Sequence, residues 1–236
     1  MGDPAKADEN LLPEDGWLSA PDYSANTAYL NVPANYQLVI DNLLDLTHAP
    51  YLHAATLFAD PSRIGKIDHT FGTDGPRIFS NYHCESLPRS RILTNLFPHE
   101  FGESFFNMTW RPASTLNFDF EIHPIGGGRK GGGVFPSCHY LTPETETSTH
   151  YFFANGRNVK IDDKAQDEFS IGLLYKAFKE EDEPMLKACQ DLMATTDLFS
   201  LGPVILPTDT PGVMARRKLI KMSAEEARAS AVAALS

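Results

Sequence analysis

Asn35 to His53 read NYQLVIDNLLDLTHAPYLH. Pro33, Ala34 and Asn35 precede apolar residues at Leu38, Val39, Leu43, Leu44 and Leu46, the pattern of a helix with a start signal and one apolar face. Set into that run are Asn42, Asp45, His48 and His53. The first three fall three apart, so they lie within about 120° on one helical face. His53 is five residues past His48, about 140° round an unbroken helix. Two imidazoles at that spacing share one metal only if the helix is broken between them. Pro50, which lacks an N–H and disturbs the turn before it, stands in that gap. Histidines are common near helix ends, where the dipole favours them. Asn42 and Asp45 argue for more, because polar groups facing a core need partners and a metal site satisfies all four together.

Outward from this stretch, residues 1 to about 24 are rich in Pro and Asp and read as an irregular lead-in, with residues 25–236 as one folded domain. Tyr29–Val32 is expected as a short strand. The segment AATLFADPSRIG after His53 reads as a loop covering the site. From Lys66 the pattern changes to strands, at 66–71, 77–85 and 89–95. Longer alternation follows at 103–110, 115–123, 133–142 and 147–155. GGGRKGGG, from Gly126 to Gly133, lacks the order of a phosphate-binding loop and has no helix after it, so it reads as a hairpin tip. Asp162 to about Thr196 is a helix or helix pair interrupted at Pro184, and a peripheral helix starts at Met214. Helix, antiparallel strands, then helix make an α+β chain.

At 236 residues the chain buries a sizeable core, and its 42% hydrophobic and 22% charged content is ordinary for a globular protein. No apolar run approaches the ~18 residues of a membrane span. A net charge of −11 argues against nucleic-acid or anionic-membrane surfaces. Cys84, Cys138 and Cys189 are far apart and odd in number, as in reduced thiols of a cytoplasmic protein.

The pattern N-x-x-D-x-x-H-x4-H, here Asn42, Asp45, His48 and His53, resembles the mononuclear iron motif of the Rieske non-haem iron aromatic-ring oxygenases. DNLLDLTHAPYLH, and LTPETETSTHYFF from Leu141 to Phe153, are similar to the vanillate O-demethylase branch and its dicamba-demethylating relatives. The resemblance implies a helix-grip (START-like) fold, a curved antiparallel sheet around a long C-terminal helix, with an apolar cavity suited to an aromatic ligand. It implies Fe(II) held by His48, His53 and one carboxylate from the late helix, the facial triad that leaves positions open for O2. Among Glu180, Glu181, Asp182 and Glu183, matching the family's pattern points to Asp182. It further implies that Asp45 accepts a hydrogen bond from a histidine ligand and bridges to a Rieske histidine on the adjacent subunit of a trimer, with Asn42 near the iron.

A Rieske [2Fe–2S] centre needs two Cys and two His, arranged in that family as C-x-H and C-x-x-H. Neither spacing occurs in these residues. The family's words after its Rieske domain resemble the MGDPAKAD with which this sequence opens, so Met1 reads as an internal methionine. The [2Fe–2S] centre, and the ferredoxin or flavin reductase behind it, are then expected on another segment or chain. The expected activity is O-demethylation or hydroxylation of an aromatic acid such as vanillate. Arg111, His139 and His150 are candidates for binding that substrate, Arg111 through its carboxylate; His83, His99 and His123 have no motif around them. A second reading from another class is a helix-grip ligand-binding domain with a vestigial metal site.

Overall fold

The alternating middle of the chain folds into one curved antiparallel sheet. The computed structural model describes residue 13 and residues 15–233, so most of the expected lead-in and the last three residues lie outside it. The strands are β1 (Ser24–Val32), β2 (Ile67–Asp74), β3 (Arg77–Pro88), β4 (Phe101–Arg111), β5 (Thr115–His123), β6 (Gly133–Thr145) and β7 (Ser148–Arg157). Their spatial order is β1-β7-β6-β5-β4-β3-β2. Successive strands from β2 to β7 therefore pair with their sequence neighbours. β1 pairs with β7 instead, with Ser24 opposite Arg157 and Val32 opposite Thr149. The GGGRKGGG segment is the β5–β6 connection.

Alternation decides which side chains face inward. In β4, Gly102, Ser104, Phe106, Met108 and Trp110 are buried while their neighbours are half-exposed. Register shifts at Cys84–Leu87 and at Pro143–Thr145 interrupt the ladders, as bulges that bend strands do.

Against this sheet lie α1 (Tyr36–Leu44), α2 (Ala49–Leu52), α3 (Lys164–Lys176), α4 (Glu183–Met193) and α5 (Thr210–Ala233), with a π-helical turn, Ala177–Asp182, joining α3 to α4. α1 buries Leu38, Val39, Ile40, Leu43 and Leu44. They join Trp110, Met108, Leu116, Tyr151 and Phe153 of the sheet in the largest apolar cluster. Full burial of each such side chain stabilises by roughly 1.5–3 kcal/mol.

Several local expectations change. The strand expected over 89–95 is a loop containing a short 3-10 turn, Arg91–Leu93. Its Leu93 and Phe97, spaced like helix residues, pack with Ile122 and Phe135 in a separate cluster. β1 is longer than the expected strand, because pairing with β7 extends it back to Ser24. α5 starts before Met214, and it is docked as well as peripheral. Arg216 donates to both Asp41 carboxylate oxygens (Nε–Oδ2 2.8 Å, Nη2–Oδ2 2.6 Å). Gly212 permits that approach, since a Cβ there would sit 2.9 Å from Asp41 Oδ1.

Candidate metal centre

The site is built on the end of α1. Asn35 caps the helix start by accepting from Gln37 N (3.0 Å), and its own N–H donates to Gln190 Oε1 on α4 (2.8 Å). At the other end, Ser80 of β3 donates to the free carbonyl of Leu44 (2.9 Å), fixing where the helix stops against the sheet. Asp45 then leaves helical geometry at φ −108°, ψ 92°. Its carboxylate accepts from Thr47 N (2.9 Å) and Thr47 Oγ1 (2.6 Å), starting a 3-10 turn, Leu46–His48. The break is therefore at Asp45, ahead of His48. Pro50 does not interrupt the chain between the histidines; it sits in the first turn of α2, where its missing N–H leaves no helical bond unmade. His53 ends α2 at φ −103°, ψ 20°, and the two imidazoles meet edge to face with centroids 5.3 Å apart.

Each imidazole is held by Nδ1. His48 Nδ1 donates to the backbone carbonyl of Asp45 (2.6 Å), so the bond expected for the Asp45 carboxylate is made by its main chain. His53 Nδ1 donates to Glu181 Oε2 (2.7 Å), which also accepts from Thr56 Oγ1 (2.7 Å). Both Nε2 atoms are thereby turned towards Asp182. His53 Nε2 lies 3.3 Å from Asp182 Oδ2, and His48 Nε2 lies 3.6 Å from Asp182 Oδ1. Asn42 Nδ2 donates to Asp182 Oδ1 (3.1 Å) and stands 3.3 Å from His48 Nε2. One ligand atom from each of His48, His53 and Asp182 falls within 4.8 Å of the others. Burial alone would lower the His53 pKa, but the carboxylates of Asp182 and Glu181 more than offset it and hold it above the ordinary imidazole value.

Asp182 reaches this point, at 5% exposure, through the π turn. Pro184 cannot donate to the carbonyl four residues earlier, Glu180, and its ring crowds it, so the helix widens by one residue there. That widening separates the four acids by role. Asp182 is buried, Glu181 points to His53, Glu183 pairs with Lys179 (2.6 Å), and Glu180 lies near Lys176 at 3.8 Å.

Of the other expected site residues, Asn42 and His139 line the cavity next to the cluster, while Asp45 is not among the lining residues and its carboxylate caps Thr47. Arg111 and His150 do not join them. Trp110 faces inward on β4, so its neighbour Arg111 faces away, half-buried and outside the cavity. Tyr151 faces inward on β7, so His150 is on the outer face, with Nδ1 2.8 Å from the hydroxyl of Tyr29. The sequence reading missed Glu181 as a partner of His53. Its one signal was adjacency to Asp182, and Thr56 had none.

The cavity has a volume of about 150 Å³, comparable to the space one benzene-sized ring requires. The histidines and Asp182 form part of its wall, with Leu43, Phe106, Phe118, Phe120 and Phe178 on the apolar sides. His139 is buried at 3% exposure, with Nδ1 2.7 Å from Tyr151 Oη and Nε2 3.1 Å from Ser137 Oγ. Complete burial pushes its pKa down to about 3, so it is neutral under ordinary conditions.

A family model described as the vanillate O-demethylase oxygenase C-terminal domain matches residues 32–225. The chain belongs to this family. It is 32% identical to the oxygenase component of chloroacetanilide N-alkylformylase from Rhizorhabdus wittichii, over 99% of this chain and 68% of that protein. A crystal structure of dicamba monooxygenase bound to 3,6-dichlorosalicylic acid superposes with a TM-score of 0.86 at 27% identity, covering 96% of this chain and 66% of that one. A dicamba monooxygenase structure with non-haem iron and dicamba gives 0.77 at 26% identity, covering 96% and 65%. The chain thus spans about two thirds of the relatives it matches. The fold is that of Rieske oxygenase catalytic domains, and the family's relatives are oxygenase components, oxidoreductases that work in multicomponent systems. Among the described residues, no helix is long and apolar enough to cross a membrane.

Proposed function

We propose that residues 25–236 form the mononuclear Fe(II) domain of a Rieske-type monooxygenase that O-demethylates, or hydroxylates an alkyl group of, an aromatic substrate. One observation carries this reading. Two imidazoles, each with Nδ1 donating elsewhere, and one buried carboxylate converge on a common point at the wall of an apolar cavity. The donor set fits iron: two neutral nitrogens and one anionic oxygen on one side leave the other positions open. His53 Nε2 (3.3 Å) and the Asn42 amide (3.1 Å) lie against the Asp182 carboxylate, the contacts a cation held there would replace.

Bound Fe(II) supplies the redox chemistry with O2. For a methoxyarene the balance is one O2, two electrons and two protons in, and a phenol, formaldehyde and water out; the hydroxymethyl ether formed first collapses to the phenol. His48, His53 and Asp182 hold the metal. Glu181 and the Asp45 carbonyl orient the two rings. The Phe and Leu walls exclude water and place the ring. Asp45, which caps the turn carrying His48, bridges that turn to the electron donor. Electrons come from a [2Fe–2S] Rieske centre outside these residues, fed by a ferredoxin or flavin reductase, with trimeric packing bringing one subunit's cluster to the next subunit's iron. Three free cysteines suit a reducing, cytoplasmic setting.

The test is iron stoichiometry on anaerobically purified protein. About one Fe(II) per chain is expected, lost in His48→Ala and His53→Ala and strongly reduced in Asp182→Ala. Protein without iron-binding capacity would favour the ligand-binding reading. Full iron in Asp182→Ala would remove Asp182 as third ligand.

A further inference from the structure

We infer that Asn155, with Ser137 beside it, orients the substrate by binding an oxygen substituent on its ring, so that Asn155 selects for rings that carry one. The inference rests on the cavity being the substrate pocket of the proposed oxygenase. Asn155 lies on β7 between Phe153 and Arg157, which are 3% and 2% exposed, so the alternation of the strand turns it to the inner face. There it lines the cavity, and unlike those two neighbours it keeps part of its surface open. Its carboxamide has no hydrogen-bond partner among the described residues, yet neither Nδ2 nor Oδ1 is among the buried polar atoms left without one. Both atoms therefore face open space, and on this side of the sheet that space is the cavity. Asn42, the other carboxamide in the wall, has its Nδ2 spent on Asp182 and His48.

Ser137 of β6 stands directly opposite Asn155. The Cβ atoms of such a pair are about 4.5–5.5 Å apart, so its hydroxyl and the carboxamide can meet at one substituent. The hydrogen of that hydroxyl is free for it. Tyr151 Oη lies 2.7 Å from His139 Nδ1 and has no other acceptor among the described residues. A buried hydroxyl uses its donor, so Tyr151 donates to Nδ1. His139, neutral, then carries its proton on Nε2 and donates to Ser137 Oγ (3.1 Å). Ser137 is left to donate into the cavity. A substrate oxygen accepts from Ser137 Oγ and Asn155 Nδ2, and Asn155 Oδ1 accepts an O–H or N–H on the same substituent. The rest of the wall here, with Phe118, Phe120 and Phe135, is apolar and holds a ring without choosing its direction. His139 joins this polar patch to the metal side, its ring 6.1 Å from that of Phe178 in the π turn that carries Asp182. With the oxygen bound at Asn155, the other end of the ring is the one presented to the ligands.

The test compares 4-methoxyphenol with 4-methoxytoluene, two uncharged rings that differ by a hydroxyl for a methyl. Both are titrated calorimetrically into the anaerobic Fe(II)-loaded chain and into Asn155→Leu, which keeps the size of the side chain and removes its amide. The affinity for the phenol relative to the toluene is expected to fall at least about fivefold in Asn155→Leu, as loss of a neutral hydrogen bond does. Asn26→Leu, at the cross-strand neighbour on β1 outside the cavity lining, is expected to leave that ratio unchanged. Proton relaxation of 4-methoxyphenol in the Co(II)-loaded chain, referenced to the Zn(II)-loaded one, reads its direction. The methoxy protons are expected to relax fastest, and Asn155→Leu to lose that order. An unchanged ratio in Asn155→Leu overturns the inference, as does an equal shift in Asn26→Leu. Faster relaxation at the hydroxyl end of the ring in the unmodified chain overturns it too. Should Asn155→Leu not fold, Asn155→Ala and the relaxation order in the unmodified chain decide. Iron retained with neither compound bound overturns the inference and leaves the metal centre standing. A chain that holds no iron yet keeps the Asn155-dependent ratio overturns the oxygenase reading alone.

Discussion

Replacing Glu181 by Gln removes the charge behind His53 while leaving every metal-facing atom in place. In the structure Glu181 Oε2 takes two donors, His53 Nδ1 at 2.7 Å and Thr56 Oγ1 at 2.7 Å. The Gln amide oxygen can still accept, but it carries no charge and its NH2 has no acceptor there. Loss of such an orienting partner costs about 10–100-fold in metal affinity, or roughly 1.4–2.7 kcal/mol; the double use of Oε2 places the expectation at the upper end. A pH signature separates this from simple misfolding. Burial depresses His53, but Asp182 and Glu181 raise its pKa overall, so below that pKa a proton on Nε2 competes with the metal. Removing Glu181's charge lowers the His53 pKa and weakens this competition. The affinity deficit of Glu181→Gln is therefore full above the His53 pKa and shrinks as pH falls through it. Anaerobic Co(II) titration, read by the metal's visible bands on both sides of that pKa, measures it. Unchanged affinity, or a deficit equal at both pH values, would refute the orienting role.

Three further outcomes are expected. Asp45→Asn keeps the Thr47 cap and the backbone carbonyl that holds His48, so iron content and stability should stay within about 0.5 kcal/mol; turnover driven by NADH through a reductase and a Rieske partner should collapse, and normal turnover would end the bridging role. Pro184→Ala returns an N–H to the Glu180 carbonyl, so the π turn should relax to α and rotate Asp182 by about 100°; metal affinity should fall by more than about tenfold with no loss of thermal stability, and unaltered affinity would show that Pro184 does not aim the ligand. His139 is held neutral with its pKa near 3 against 6.5 unfolded, so below 6.5 the unfolded state binds the extra proton and stability falls with pH. In urea unfolding, His139→Phe should flatten that acid limb by up to about 1.4 kcal/mol per pH unit, and parallel limbs would contradict the buried neutral state.

How much was legible depends on whether a feature is local. The alternation of β4 and β5, the start of α1 at Asn35, and the grouping of Asn42, Asp45, His48 and His53 follow from spacing along a few residues, so they can be read without the fold. The α+β class follows from the same periods. Four things needed the tertiary structure. Which of four consecutive acids turns inward depends on the π turn and on Glu181 finding His53, contacts more than a hundred residues apart in sequence. The kink at Asp45 depends on Ser80 of β3 catching the Leu44 carbonyl, which no window around Pro50 contains. The inward face of β7 could not be chosen locally, because Tyr151 and Phe153 on one side and His150 and Phe152 on the other are equally aromatic; pairing with β6 and β1 selected the first. Which polar groups the cavity leaves unspent likewise hangs on His139 of β6 meeting Tyr151 of β7. Sequence periodicity sets the elements because it is the geometry of one chain segment, whereas the direction and charge of the site are set by partners that only folding brings together.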